Sequence, residues 1–181
     1  MINRRGFTAG FVTLPWLLAS NTARAAGTIR FASLAEARAA LTRWQQGGNP
    51  PNSNPQAGPV TLHQMLHHCA QSLEYGLSGF PEMKPAWFRA SIGPMAAQVF
   101  LWRGQLSHDL ADPIPGAPEI PTSGDMAAAF ARLFAGIDAF EAAVSRNAPL
   151  MPHFAYGAVA PADYARLQAF HIAQHMEPLS A

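Results

Sequence analysis

The sequence predicts an all-α protein, an antiparallel four-helix bundle with one additional interrupted helix and a proline-rich loop. Three observations predict it. Apolar residues recur at three-four spacing in four long segments, each segment is bounded by capping or helix-breaking residues, and no stretch alternates with the period of a strand. The 181 residues, 49% hydrophobic and 13% charged, suffice to bury one apolar core and fit neither a disordered nor a nucleic-acid-binding composition. Lys84 is the only lysine, so no polybasic patch exists to hold phosphate or anionic lipid.

Residues 1–25 read as a cleavable export signal: Arg4-Arg5, the apolar stretch Gly6 to Ala19, then the small-x-small site Ala23-Arg24-Ala25. An apolar stretch of about 14 residues is shorter than the roughly 20 a spanning helix needs, so no stable membrane span is expected after removal. Arg4-Arg5-Gly6-Phe7 resembles a twin-arginine signal with Thr8 in the usual leucine position, the general secretory route being the alternative. That implies an exported protein, in a bacterium a periplasmic one. Removal takes away three arginines and no acid, which moves the formal balance from +1 to about −2. The remainder, 26–181, is expected to form a single domain.

Ser33 with Glu36 makes a capping-box pattern, and Leu34, Ala37, Leu41 and Trp44 follow at helical spacing, which predicts a helix from Ser33 to Gln46. Gly47-Gly48 stop it, and the proline- and asparagine-rich stretch to Pro59 reads as a surface loop. Thr61 with Gln64 repeats the box and opens a helix from Leu62 to Ser78, whose core stripe is Leu62, Met65, Leu66, Cys69 and Leu73. Gly79 and Pro81 end it. From Pro85 to Arg103 an apolar segment is interrupted by Gly93-Pro94, which predicts a kink or a division into two helices. Asp112 to Pro121 holds four prolines and reads as an extended loop without internal hydrogen bonds, draped over the body. Behind Ser123, the residues Met126, Phe130, Leu133, Phe134, Ile137, Phe140 and Val144 form the cleanest amphipathic helix, broken only by Glu141. The last helix opens with Pro161 and Asp163 and runs to Met176 before Pro178.

Of the seven histidines, His171 and His175 carry the most information, because a spacing of four stacks two imidazoles on one helix face. At about 100° per residue, Tyr164 lies roughly 20° and Leu167 about 40° from His171, so the pair points inward. Two buried neutral imidazoles at ligand spacing are satisfied by one shared cation or by separate hydrogen bonds. His68 falls on a polar-aromatic stripe with Ser72 and Tyr75 at the border of the core, whereas His63 and His67 lie on the opposite flank and are expected to be solvated. Periodicity leaves the choice of a third ligand open. Cys69, in the core arc, reads as a small buried apolar residue rather than a reactive thiol.

A histidine early in the second helix, in Leu66-His67-His68-Cys69-Ala70-Gln71-Ser72-Leu73-Glu74-Tyr75, followed by His171-Ile172-Ala173-Gln174-His175 near the C-terminus, resembles the DinB-like superfamily of metal-binding four-helix bundles. Ser72 to Pro81, the turn Pro113-Ile114-Pro115-Gly116 and Pro152-His153-Phe154-Ala155-Tyr156-Gly157 look most like an uncharacterised domain-of-unknown-function branch of it. The resemblance spans residues 30–178. It implies a three-histidine metal site made by His68, His171 and His175 and holding a divalent ion such as zinc, nickel or iron. Characterised relatives in that superfamily include thiol-dependent transferases and an isomerase.

Three neutral imidazoles leave a divalent ion with open positions for water or substrate, as a catalytic site requires. The sequence therefore reads as a metal-dependent enzyme of the transferase or hydrolase type acting on a small molecule, the alternative being a non-enzymatic envelope protein that binds metal or a small ligand. Neither a phosphate-binding glycine loop nor a nucleophile elbow is present. His153 stands as a fourth ligand, a proton donor or a loop residue, Ser72 and Tyr75 as groups behind the ligands or beside the substrate, and Glu74 as a solvated charge. No nucleic-acid partner is expected, and a dimer is left open.

Overall fold

The computed structural model describes residues 28–47 and 60–180, in which six α-helices and no strand occur. They are α1 (Leu34–Gly47), α2 (Leu62–Ser78), α3 (Ala86–Ala90), α4 (Ile92–Arg103), α5 (Met126–Ser145) and α6 (Pro161–Met176), followed by a 3-10 turn, Pro178–Ser180. The export segment expected at 1–25 and the loop 48–59 lie outside the described residues. No helix among those described is long and apolar enough to cross a membrane.

The helix ends show how local chemistry sets the boundaries. At α2 the expected box is complete: Thr61 Oγ1 accepts from Gln64 N at 3.2 Å, and Gln64 Oε1 accepts from Thr61 N at 3.0 Å. At α1 the box is shifted by one residue, because Ser33 accepts from Glu36 N while the Glu36 carboxylate reaches back to Ala32 N at 2.8 Å. Asp125 rather than Ser123 caps α5, its carboxylate taking the amides of Ala127 and Ala128. There it also faces the positive end of the helix dipole.

The interrupted segment divides into α3 and α4, yet the break falls at Ser91 and not at Gly93-Pro94. Both of those residues lie in the first turn of α4, where a proline's missing amide leaves no hydrogen bond unmade. Gly93 answers to packing: a Cβ there would stand 2.0 Å from the Ala155 carbonyl oxygen. Only a hydrogen lets the 153–157 loop settle onto the start of α4.

One core is shared by α1, α2, α5 and α6, with Leu34, Leu41, Met65, Leu66, Leu133, Ile137, Phe140 and Ile172 fully buried. Each such side chain contributes about 1.5–3 kcal/mol by leaving water. The stripe expected on α2 is buried at Met65, Leu66, Cys69 and Leu73, with Leu62 packed at its edge. A second, smaller cluster joins Ala97 and Leu101 of α4 and Leu106 to Leu167 and Phe170 of α6. Helix α6 thus packs against α1, α2, α4 and α5, which explains why Leu167, Phe170, Ile172 and Met176, on different sides of it, are all buried. By contrast α4 leaves Ile92, Met95, Val99 and Trp102 exposed.

The proline segment does contain an internal hydrogen bond, contrary to expectation. Ala117 N donates to Ile114 O at 3.0 Å, closing a turn with Pro115 second and Gly116, at φ 71°, third. Beyond the turn the chain runs along α2 in the opposite direction. Gln71, Gln64, His63 and Thr61 donate in succession to the carbonyls of Pro118, Ile120, Pro121 and Thr122.

A three-histidine cluster at the wall of a cavity

Helix α6 sends His171 and His175 inward from one face, and α2 sends His68 across to meet them. His68 Nε2 and His171 Nε2 lie 3.2 Å apart, and the ring centroids of His175 stand 4.6 Å and 4.7 Å from those of His68 and His171. One nitrogen from each ring falls within 4.8 Å of the other two. Two imidazole nitrogens bound to one tetrahedral zinc at about 2.0–2.1 Å are about 3.3 Å apart, so the closest pair already has ligand spacing.

Burial holds the three rings neutral. It pushes His68 down to about 4, with His108 as the next cause, and it holds His171 and His175 well below the ordinary histidine range. A neutral imidazole still has one N–H to donate and one lone pair to offer. His175, at 1% exposure, has neither nitrogen hydrogen-bonded among the described residues. An unsatisfied buried polar group costs about 1–3 kcal/mol, and a cation shared with His68 and His171 removes part of that cost at His175 while taking the place of the hydrogen between His68 Nε2 and His171 Nε2. The residues present therefore fit a divalent ion.

The cluster separates two cavities. The larger, about 400 Å³, reaches His68 and His171 and is walled by Leu106, Ile114, Phe154, Tyr156 and Leu167. The smaller, about 250 Å³, reaches His68 and His175 under the proline loop. Ser72 lines the larger cavity and is paired with Gln168 of α6: Ser72 Oγ donates to Gln168 Oε1 at 3.0 Å, and Gln168 Nε2 donates to Ser72 O at 3.3 Å. This double bond between α2 and α6 sets the spacing of the helices one turn beyond His68. Tyr75 packs on Phe80 instead, at 5.7 Å between centroids, and is not among the lining residues. Tyr164, whose buried hydroxyl has no partner among the described residues, also lines this cavity.

His108 was not singled out by the sequence. Its ring centroid lies 5.2 Å from those of both His171 and His175, and it lines the larger cavity. Nδ1 donates to Asp109 O at 2.7 Å. Gln174, between the two α6 histidines, donates to His108 O at 2.8 Å, so α6 pins the loop that carries the fourth imidazole. A loop has no periodicity, and no sequence signal marks this residue.

The opposite flank of α2 also departs from expectation. His63 is 7% exposed, not solvated, and donates from Nδ1 to Pro121 O at 2.9 Å. His67, half-buried, accepts from Arg132 Nη1 at 2.9 Å, and burial, then His63 and Arg132, lower its pKa. Glu74 is clamped by Arg132, with contacts of 2.8 Å and 2.6 Å to the two carboxylate oxygens. It is held away from the cluster. The carboxylate among the residues lining the larger cavity is that of Asp112. Cys69 is fully buried, and burial alone drives its thiol pKa upward, as a core residue requires.

Fold and site together define an all-helical protein with a three-histidine cluster capable of holding a metal ion. The chain belongs to the family described as "Protein of unknown function (DUF1569)", which matches residues 24–181. No curated protein and no solved structure matches it.

Proposed function

We propose that this protein is a DinB-like four-helix bundle, built from α1, α2, α5 and α6 with α3 and α4 added, and a divalent-metal-dependent enzyme of the transferase or hydrolase type. The observation that carries the reading is the convergence of three neutral imidazoles at the wall of a largely apolar cavity of about 400 Å³. His68, His171 and His175 hold the ion, of which zinc, nickel and iron accept such a donor set. When bound, the ion supplies Lewis-acid polarisation of a ligand oxygen. The chain itself supplies an apolar wall that excludes water and, lining the same cavity, a fourth imidazole, His108, and a carboxylate, Asp112.

One observation favours a second reading, in which the protein binds metal without catalysis. No carboxylate is hydrogen-bonded to any of the three imidazoles among the described residues, so no general base is in contact with the cluster. Cobalt-loaded protein decides between the two. Visible absorption bands that shift on adding azide mean an open coordination position, as the enzyme reading expects; bands indifferent to azide mean a closed site and a binding protein; failure to take up cobalt removes both.

Arg4-Arg5 and the apolar stretch behind them support export to the periplasm. Replacing both arginines by lysine strands the precursor in the cytoplasm if the twin-arginine route is used, and normal export of that variant points to the general secretory route.

A further inference from the structure

The loop from Pro152 to Gly157 is closed on itself by two backbone hydrogen bonds, His153 N to Gly157 O at 2.9 Å and Gly157 N to His153 O at 3.0 Å. Gly157 sits at φ 71°, and a Cβ there would lie 2.6 Å from the Arg89 carbonyl oxygen, so the loop is docked against α3 through a residue that only glycine fits. His153 turns back into this loop. Its Nδ1 accepts from the amides of Ala155 at 3.1 Å and Tyr156 at 3.2 Å.

Backbone amides only donate, so Nδ1 has to offer its lone pair, and in the neutral ring the proton then sits on Nε2. The ring cannot turn to exchange these roles. It is stacked on Tyr156 at 4.2 Å and 9°, and enclosed by Phe154 at 4.5 Å, Phe80 at 5.1 Å and Tyr164 edge-on at 5.9 Å. Burial, and after it His108, push the His153 pKa down to about 3, so the ring stays neutral at any ordinary pH. The residue is 9% exposed, lines the larger cavity, and has no hydrogen bond at Nε2 among the described residues.

We propose that His153 is a ligand-binding residue whose locked Nε2–H donates a hydrogen bond to a carbonyl or carboxylate oxygen of a small organic ligand lying in the cavity. With Nδ1 committed to two amides and a proton on Nε2, neither nitrogen has a lone pair for a cation, so His153 is no fourth metal ligand. Its apolar surroundings strengthen the one polar bond it can make, which fits a pocket where few polar groups orient a mostly apolar ligand. Lys84 lines the same cavity and makes no ion pair among the described residues, which adds attraction for an anionic ligand end. The inference deepens the proposed function by naming the ligand class, shares its cavity, and does not require the metal.

Two probes separate the two oxygen types: benzoate for carboxylate and benzamide for carbonyl. Long-range nitrogen-proton spectra of nitrogen-15-labelled protein are expected to show His153 as the Nε2–H tautomer, with its ring resonances moving when one of the probes is added. His153→Asn places an amide oxygen where Nδ1 was and keeps the loop closed, but leaves no donor at the Nε2 position; it should weaken binding of that probe at least tenfold. His153→Gln restores a donor there and should recover most of the affinity, a rescue that a purely structural role does not produce. An Nδ1–H tautomer, a protonated ring at neutral pH, unweakened binding by the asparagine variant, or failure of both probes to move the His153 resonances overturns the proposal. Running the titration with and without zinc keeps the two readings apart. Lost zinc uptake with intact probe binding sinks the metal site alone, and the converse sinks this inference alone.

Discussion

Two pairs of histidines four residues apart lie in this molecule, His63 with His67 on α2 and His171 with His175 on α6, and their rings are equally close, 4.5 Å and 4.7 Å between centroids. Their surroundings are opposite. The α2 pair is answered by protein: Pro121 O takes the His63 proton, and Arg132 fills the His67 lone pair. The α6 pair meets only other imidazoles, His68 and His108, and both nitrogens of His175 lack a hydrogen-bond partner among the described residues. Equal spacing on a helix thus produces a hydrogen-bonded flank in one place and a candidate metal centre in the other. What distinguishes them is the element across the gap, a carbonyl-rich proline loop and an arginine in one case and a third histidine in the other.

The largest expected effect tests that contrast directly. His171→Ala or His175→Ala should abolish stoichiometric zinc binding measured by equilibrium dialysis, while His63→Ala or His67→Ala should leave one ion per chain. Similar losses in both pairs would mean that spacing alone governs binding.

Next in size is the linkage between α2 and α6. An ion bound only by the folded state at a hundredfold excess over its Kd stabilises by about 2.7 kcal/mol, which for a domain of this size raises Tm by about 5–11 °C. Chelation should remove that increment and restored zinc should return it. His68→Ala should respond to neither, because two imidazoles on one helix no longer join it to α2; a parent-like response in that variant breaks the three-histidine assignment.

The buried rings also set a pH dependence of the metal-free protein. His68, His153, His171 and His175 all have folded-state pKa values depressed below the ordinary 6.5. Below pH 6.5 the unfolded chain takes up protons that the folded chain refuses, so stability present above that pH is lost as pH falls toward about 4 for His68 and about 3 for His153. The slope approaches about 1.4 kcal/mol per pH unit for each such ring. Urea titrations between pH 7 and pH 4 should show the midpoint falling steadily, and the fall should be shallower in His171→Phe. A flat midpoint across that range contradicts the neutral cluster.

The smallest effect belongs to the hydrogen-bonded flank. Arg132→Ala frees Glu74 and His67, but the ion pair is more than a third exposed on both sides, and such pairs contribute roughly 0–1 kcal/mol. Zinc affinity should not change. A large loss of zinc binding in this variant would show that the two histidine regions are coupled.

Much of the fold was legible because its signals are local. Thr61 and Gln64 satisfy each other's amides within one turn, and the three-four recurrence of Met65, Leu66, Cys69 and Leu73 can face only one way on a helix. The inward direction of His171 and His175 follows from the same arithmetic with Tyr164 and Leu167, and all four are buried. Where the sequence misled, the deciding partner was remote. His63 and His67 lie off the apolar arc, which local reasoning equates with water, yet the Pro118–Thr122 carbonyls and Arg132 arrive from some 50–65 residues away to cover them. The break at Ser91 instead of Gly93-Pro94 reflects the same limit, since Gly93 serves a contact with Ala155 that no neighbour in sequence reveals.

By itself the sequence determined the four long helices, their apolar faces, and that two imidazoles of α6 would point into the protein, because periodicity and capping act within a few residues. Periodicity left open which α2 histidine meets them and the family resemblance pointed to His68; tertiary structure brought that ring to the pair, set His108 beside it, and put the His153 proton on Nε2. Each of these depends on a partner brought close by chain closure, and a hydrogen-bond donor three ångströms away in space leaves no trace in the spacing of residues along the chain.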